Sequence, residues 1–276
     1  MNNIIIFTDL DGTLLDYYTY SFEPSIEGIN LLKKFNIPLI FCTSKSYYEV
    51  IYFREKTGNT SPFIVENGGA IYIPKEQFTQ FEIFKSIKQF KEFDRYMTIE
   101  LGANYNKIRE VFEKMKQTFN NKVIGFGDMN VEEIAKYLNL DLKLAAMARL
   151  RRHDEPFILK DKSLLHELNQ FAEKNGLKLY PGTRFFHLMG NTDKGLAVKE
   201  LSYMYKKLYN GITTVGLGEG KNDEPMLKEV DIPFLVKKPD GTFTDTRVDG
   251  VVKIDGIGPY GFTIAVKELL SKIKKL

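Results

Sequence analysis

Asp9 and Asp11 are separated by one residue and follow the apolar run Ile4-Ile5-Ile6-Phe7 after Thr8. Two carboxylates this close repel each other and are easier to hold ionised beside a divalent cation. In that setting one can attack an electrophile while the other moves a proton to or from the leaving group. Asp-x-Asp in a surface loop is ordinarily a turn; the apolar strand before it and Gly12-Thr13 after it favour chemistry here. Thr43 and Ser44 close a second apolar run and can donate to anionic oxygens, or cap the helix that starts near Ser46. Lys194 follows Asp193 at a helix start, where a cation is unfavourable against the helix dipole. There it can neutralise a phosphoryl oxygen and restrain a nucleophilic carboxylate. Glu219 and Asp223 lie four apart across a Gly-rich turn. They suit a hard, oxygen-preferring metal or a helix-capping arrangement.

These groups need a frame that brings distant segments together. Residues 4–7, 37–41 and 63–65 read as short buried strands, separated by amphipathic helices over 25–34 and 46–57. That alternation predicts a parallel α/β sheet, with polar clusters at the carboxyl ends, where such sheets bind ligands. Alternation resumes after Asp193, with a helix to about 209, a strand over 213–217, a helix over 224–228, a strand over 232–236 and a closing helix over 259–273. Residues 237–258 resist assignment. Between about 81 and 189 the pattern is α+β: strands near 96–101, 122–126, 157–159, 177–180 and 185–188, and helices near 106–119, 130, 140–149 and 161–175. The expected organisation is a Rossmann-like core from 1–80 and 190–276, with an α+β cap inserted over 81–189.

Composition narrows the field. Hydrophobic residues make up 43% and charged residues 27%, an ordinary globular balance. Lys and Arg number 39 against 36 Asp and Glu, so bulk charge gives no case for nucleic-acid or membrane binding. A single cysteine, Cys42, excludes an intramolecular disulfide. No signal-peptide pattern and no stretch of about 18 apolar residues occurs, so a cytoplasmic protein with no obligate protein partner is expected. No Cys/His cluster suggests zinc.

In order, Asp9-Leu10-Asp11-Gly12-Thr13, Thr43-Ser44, Asp193-Lys194-Gly195 and Gly218-Glu219-Gly220-Lys221-Asn222-Asp223 resemble the four motifs of haloacid-dehalogenase-type phosphohydrolases. The resemblance implies an aspartyl-phosphate mechanism with Mg²⁺. Asp9 would be the nucleophile, Asp11 the acid/base, Thr43 a phosphate ligand and Lys194 the electrostatic clamp. Asp9, the backbone carbonyl of Asp11 and carboxylates of the fourth motif, Glu219 and Asp223, would hold the metal. That motif usually begins Gly-Asp; Glu219 keeps the charge but reaches one methylene farther, so it acts directly only with a shifted backbone, or else through water. The insert resembles the α/β cap of the Cof-like branch.

Within the insert, Arg151-Arg152-His153-Asp154-Glu155-Pro156-Phe157 and Gly182-Thr183-Arg184-Phe185-Phe186-His187-Leu188-Met189-Gly190 resemble the cap motifs of mannosyl-3-phosphoglycerate phosphatases, with Thr183 where a glycine is usual. Glu66-Asn67-Gly68-Gly69 in the core extends the likeness. It implies a small phosphorylated sugar as substrate, with Ser44, Asn67, Gly68, Arg151, Arg152, Glu155, Arg184 and His187 binding it. Arginine forks match a carboxylate or phosphate, whereas Glu155 and Asn67 can bind sugar hydroxyls. Arg151 and Arg152 also suit a solvated basic face, and His153 and His166 the surface. Arg184 and His187, three apart, share a face only if the strand bends. A broader sugar-phosphate phosphatase, such as one for sucrose phosphate, and a noncatalytic sugar-phosphate-binding module stay open as alternatives.

Overall fold

The computed structural model describes residues 3–182 and 184–273; Thr183, expected to tune the cap turn, lies outside them. Its strands are β1 (Asn3–Thr8), β2 (Leu39–Cys42), β3 (Phe63–Val65), β4 (Ala70–Pro74), β5 (Lys91–Phe93), β6 (Tyr96–Glu100), β7 (Val123–Gly125), β8 (Asp154–Leu159), β9 (Lys178–Pro181), β10 (Phe186–Met189), β11 (Ile212–Gly218), β12 (Ile232–Lys237) and β13 (Val252–Ile257). The helices are α1 (Ile26–Lys34), α2 (Tyr47–Thr57), α3 (Lys75–Phe78), α4 (Tyr105–Thr118), α5 (Val131–Leu138), α6 (Leu142–Arg149), α7 (Leu165–Lys174), α8 (Lys194–Leu208), α9 (Glu224–Lys228) and α10 (Tyr260–Ile273).

One sheet runs β13-β12-β11-β1-β2-β3-β4-β6-β5, parallel from β13 through β3 and antiparallel beyond. Helices cover both faces, which is why β1 is apolar without alternation: Ile4 and Ile6 enter one core with Phe262 of α10, and Ile5 and Phe7 enter the other with Val198 of α8. The second sheet, β7-β8-β10-β9, is antiparallel. Along β8 Phe157 packs with α4 and α7, while Ile158 faces the opposite side with α5 and α6. This is the expected α/β core with an α+β insert. The proposed boundary at 81 shifts, however. Residues 91–100 form β5 and β6, which pair onto β4 and so extend the larger sheet. Phe81 and Phe84 pack in the same core as Ile5. The separate sheet is built from 123–189.

The chain passes β1, β2 and β3 to one side of the sheet and β11, β12 and β13 to the other, so the switch point lies between β1 and β11. Asp9, Thr43, Asn67 and Glu219 all leave the carboxyl ends of strands around it. After β3 the backbone takes positive φ at three consecutive residues, Glu66 (48°), Asn67 (55°) and Gly68 (90°). A Cβ on Gly68 would stand 2.0 Å from the Asp193 carbonyl oxygen. That close approach seats the start of α8, and with it Lys194, against the β3 exit. Gly68→Ala should therefore lose at least about 2 kcal/mol of stability from strain and collision. Urea unfolding measures it, and an unchanged midpoint would show that the segment relaxes freely.

Candidate active site

Asp9 emerges at the end of the β1–β11 ladder, its N–H donating to the Leu217 carbonyl at 2.9 Å. The Lys194 ammonium, 1% exposed, sits 2.6 Å from both Asp9 Oδ1 and Asp223 Oδ1. Asp193 caps α8 by accepting the Leu196 N–H at 2.9 Å, and its carboxylate offsets the dipole that a lysine at this helix start would oppose. Asp223 is fixed in turn by the N–H groups of Glu219 and Gly220, each donating to Oδ2 at 2.9 Å.

Asp9, Glu219 and Asp223 are all buried and offer oxygens within 4.8 Å of one another. Three carboxylates thus face one ammonium. Burial and the Asp223 charge push Asp9 up to about 7 against the pull of Lys194. Burial, then Asp223 and Asp9, push Glu219 up to about 9. Lys194 moves the other way from a lone buried lysine, since the two aspartates hold its proton against desolvation. The excess of hard, buried oxygen ligands over cations fits a divalent ion. Glu219 accommodates its extra methylene by lying across Gly12, where a Cβ would meet its Cγ at 3.1 Å.

The Asp11 side chain turns to another partner. It pairs with the buried Lys45 at 2.9 Å, and Lys45 also reaches Glu49 at 3.4 Å and lies 4.7 Å from the Tyr20 ring centre. Thr43 is buried and accepts the Lys45 N–H at 3.2 Å. The cap of α2 is Ser46, in a reciprocal box with Glu49, so Thr43 and Ser44 are not needed for capping. Lys45, Glu49, Tyr17 and Tyr20 went unnoticed in the sequence. Ser46-x-x-Glu49 was a legible capping box, and Lys45 directly follows Thr43-Ser44; the two tyrosines carry no periodic signal.

A partly open cavity of about 90 Å³ lies between the two sheets. Asp9, Asp11, Ser44, Lys45 and Glu219 line it from the strand exits, and Arg151, Arg184 and His187 from the insert. Arg184 and His187 share it because Arg184 precedes β10 in a bend and escapes strand alternation. Arg184 donates to the Tyr20 hydroxyl at 2.7 Å, to the Leu138 carbonyl at 3.0 Å and to the Tyr17 carbonyl. Arg151, buried where Arg184 is half-buried, donates to the Ser44 carbonyl at 3.0 Å and stands 3.5 Å from Asp154.

Other expected residues sit behind this surface. Asn67 Nδ2 lies 3.4 Å from Asp154. The Gly68 carbonyl accepts the Thr192 hydroxyl at 2.9 Å. Arg152 pairs with Glu100 at 3.2 Å and covers the Phe93 ring. Glu155 is wholly buried in the insert, accepting from Arg109 at 2.9 Å, the Gly127 N–H at 2.8 Å and the Tyr105 hydroxyl at 2.5 Å. None of these four lines the cavity. His153, expected at the surface, is buried with Nδ1 3.2 Å from the Ala103 carbonyl, whereas His166 is exposed as expected. Glu66 joins the two sheets: its carboxylate accepts the N–H groups of Arg152, at 3.0 Å, and His153, at 2.7 Å. Burial pushes it up to about 7.

Among the described residues no helix is long and apolar enough to cross a membrane. Several solved structures share the fold. A Thermoplasma acidophilum protein aligns with a TM-score of 0.68 at 19% identity over 100% of both chains. A haloacid dehalogenase-like hydrolase from B. subtilis aligns at 0.65 and 16%, covering 96% of this chain and 99% of that one. Curated relatives include a glucosyl-3-phosphoglycerate/mannosyl-3-phosphoglycerate phosphatase of Methanococcoides burtonii, 42% identical over 97% of both chains. Another of the same description, from Persephonella marina, is 39% identical over 99% of both. A mannosyl-3-phosphoglycerate phosphatase of Pyrococcus furiosus is 36% identical over 84% of this chain and 90% of that one. The family model for haloacid dehalogenase-like hydrolases matches residues 6–240. With that match spanning both halves of the parallel sheet, the chain belongs to the haloacid dehalogenase-like hydrolases, among their phosphatases.

Proposed function

We propose that the chain hydrolyses mannosyl-3-phosphoglycerate, or its glucosyl counterpart, to the glycosylglycerate and phosphate, with Mg²⁺ held by Asp9, the Asp11 carbonyl and the fourth-motif carboxylates. The observation that carries the chemistry is the Lys194 ammonium 2.6 Å from both Asp9 and Asp223, with Glu219 alongside. Lys194 holds Asp9 in place as it attacks phosphorus; the bond to the leaving alkoxide breaks and Asp11 supplies that oxygen's proton. Asp11 then takes a proton from the water that cleaves the aspartyl phosphate, which releases phosphate and regenerates Asp9. The bound ion would neutralise phosphoryl oxygens in both steps.

The substrate assignment rests on Arg184. Lys45 and Arg151 face the cavity beside carboxylates, whereas Arg184 hydrogen-bonds neutral oxygens and lies over the Tyr17 ring, so its charge is open to an anion. A glycerate carboxylate provides one with matching fork geometry. Thr43 and Ser44 would bind phosphate. Typical ligand pockets measure about 300–1,000 Å³, so the 90 Å³ cavity must widen for entry, and the insert would swing from the sheet. In this proposal Asn67, Gly68, Arg152 and Glu155 act from behind, by holding the insert and the β3 exit in place.

Asp9→Asn should lower turnover by at least about 10³, since an amide is a poor nucleophile; near-normal phosphate release by the pure variant would sink the covalent mechanism. The raised Asp9 and Glu219 carboxyls bind more protons folded than unfolded. Without metal their effect is to lower stability as pH rises from about 4 towards 9. Added Mg²⁺ should therefore raise Tm more at pH 8 than at pH 5, and EDTA should abolish turnover. Equal Tm shifts at both pH values would remove these carboxylates from the ion's shell. Losing a charge-assisted contact costs about 1.5–3 kcal/mol, so Arg184→Ala should lose roughly 10- to 150-fold in kcat/KM on the glycosyl-phosphoglycerate. On mannose 6-phosphate, which has no carboxylate, the loss should be much smaller. A wild type that prefers the plain sugar phosphate would point to the broader phosphatase, and one that releases no phosphate from either to a binding module.

A further inference from the structure

Asp154 is a wholly buried carboxylate beside the cavity that the proposed reaction does not use. It is fully buried at the start of β8, and one of its oxygens, Oδ1, has no hydrogen-bond partner. In the register of β8 and β10, Met189 stands opposite Asp154 and His187 opposite Pro156. Asp154 and His187 are thus diagonal neighbours on one face of the sheet. His187 Nδ1 lies 2.8 Å from Asp154 Oδ2, shorter than that oxygen's contacts with Asn67 Nδ2 at 3.4 Å and Arg151 Nη2 at 3.5 Å.

A carboxylate only accepts hydrogen bonds, so the 2.8 Å contact puts the imidazole proton on Nδ1. In that tautomer Nε2 carries a lone pair. No protein donor meets it among the described residues, and His187 lines the cavity. Gly182 leaves the room for this ring, since a Cβ there would stand 2.6 Å from Nε2. An acceptor facing the cavity needs a donor from the substrate. Phosphate and carboxylate are acceptors when ionised, which leaves a hydroxyl as the group that can meet it.

We propose that Asp154 is a positioning residue: it holds His187 in the Nδ1-protonated form so that Nε2 accepts a hydrogen bond from a sugar hydroxyl. The identity of the hydroxyl's owner rests on the glycosyl-phosphoglycerate assignment above; the Asp154–His187 arrangement does not. Asn67 couples it to the core, because its amide donates at 3.4 Å to the same Asp154 oxygen that His187 meets.

The test is a cycle of Asp154→Asn, His187→Gln and the double variant, with kcat and KM measured on mannosyl- and glucosyl-3-phosphoglycerate. His187 Nδ1, Arg151 and Asn67 all meet Oδ2, so in Asp154→Asn the amide oxygen keeps that place but without the charge that holds the proton on Nδ1, and the ring is released to the other tautomer. Loss of one hydrogen bond should raise KM about tenfold with kcat within about threefold. In the His187→Gln background the same substitution should change KM less than about twofold, because its target is gone. A loss that persists in that background, or that falls on kcat, would overturn the proposal. Nitrogen-15 NMR of the wild type at pH 8 gives an answer even if Asp154→Asn fails to fold. The expected signature is a protonated Nδ1 and an unprotonated Nε2 for His187; a dominant Nε2–H form overturns the proposal. Should the wild type turn over neither substrate, the substrate assignment falls and the tautomer alone decides the role of Asp154.

Discussion

The structure is organised around a buried charge imbalance at the mouth of the parallel sheet. Asp9, Glu219 and Asp223 come from two segments more than 200 residues apart, and the Lys194 ammonium from a third stands among them. At an effective dielectric near 20, two unit charges about 5 Å apart repel by roughly 3 kcal/mol. Such a cluster survives only if the frame over-determines it. The frame is the β1–β11 pairing, the Asp193 cap that seats α8, and the two backbone N–H groups on Asp223. The elements that look purely structural therefore set the electrostatics: a shift of α8 along the sheet would separate Lys194 from both aspartates at once.

The insert is bound to this frame by contacts of a different kind. Leu144 of α6 reaches into the main core, but much of the junction is polar: Glu66 on the backbone near 152–153, Ser46 on the Met147 carbonyl, Arg151 on the Ser44 carbonyl, and Arg184 on Tyr17 and Tyr20. Polar groups at a junction can exchange protein partners for water when it opens, whereas a broad apolar interface would expose its area at full cost. An insert attached in this way can both seal the cavity and release it. Glu66 stands apart from the other contacts, because it grips main-chain N–H groups where the chain enters β8, and its grip need not break when the far side opens.

Much of this was legible in the sequence, and the parts that were not share physical reasons. The apolar runs of β1, β2, β3 and β11 are short and unmistakable because they are buried on both faces, and the chemistry-bearing residues sit at their ends. β13 was missed within 237–258 because it is an edge strand whose exposed Lys253 and Asp255 break the apolar signal. β5 and β6 were placed with the insert because antiparallel extension of a parallel sheet leaves no local mark; only partner identity distinguishes it. At the site, residues fixed by a motif at one strand exit were found, while those recruited by packing, such as Lys45 and Asp154, were not. Glu155 and Arg152 illustrate the converse: charge next to a motif suggested ligand contact, but each is occupied by protein partners.

Glu219 shows how a substitution within a motif can be absorbed locally. A glutamate where aspartate is usual must put an extra methylene somewhere, and its carboxylate already lies beside those of Asp9 and Asp223. The Glu219 stem folds across Gly12, which has φ +80° and no side chain to oppose it. The glycine after Asp11 thereby acquires two duties, the turn that follows β1 and the floor beneath a neighbouring carboxylate. Because Glu219 reaches the cluster along that floor, its charge stays with Asp9 and Asp223, while the Asp11 side chain is turned to Lys45. The longer side chain thus keeps its carboxylate with the buried cluster and apart from the Asp11–Lys45 pair.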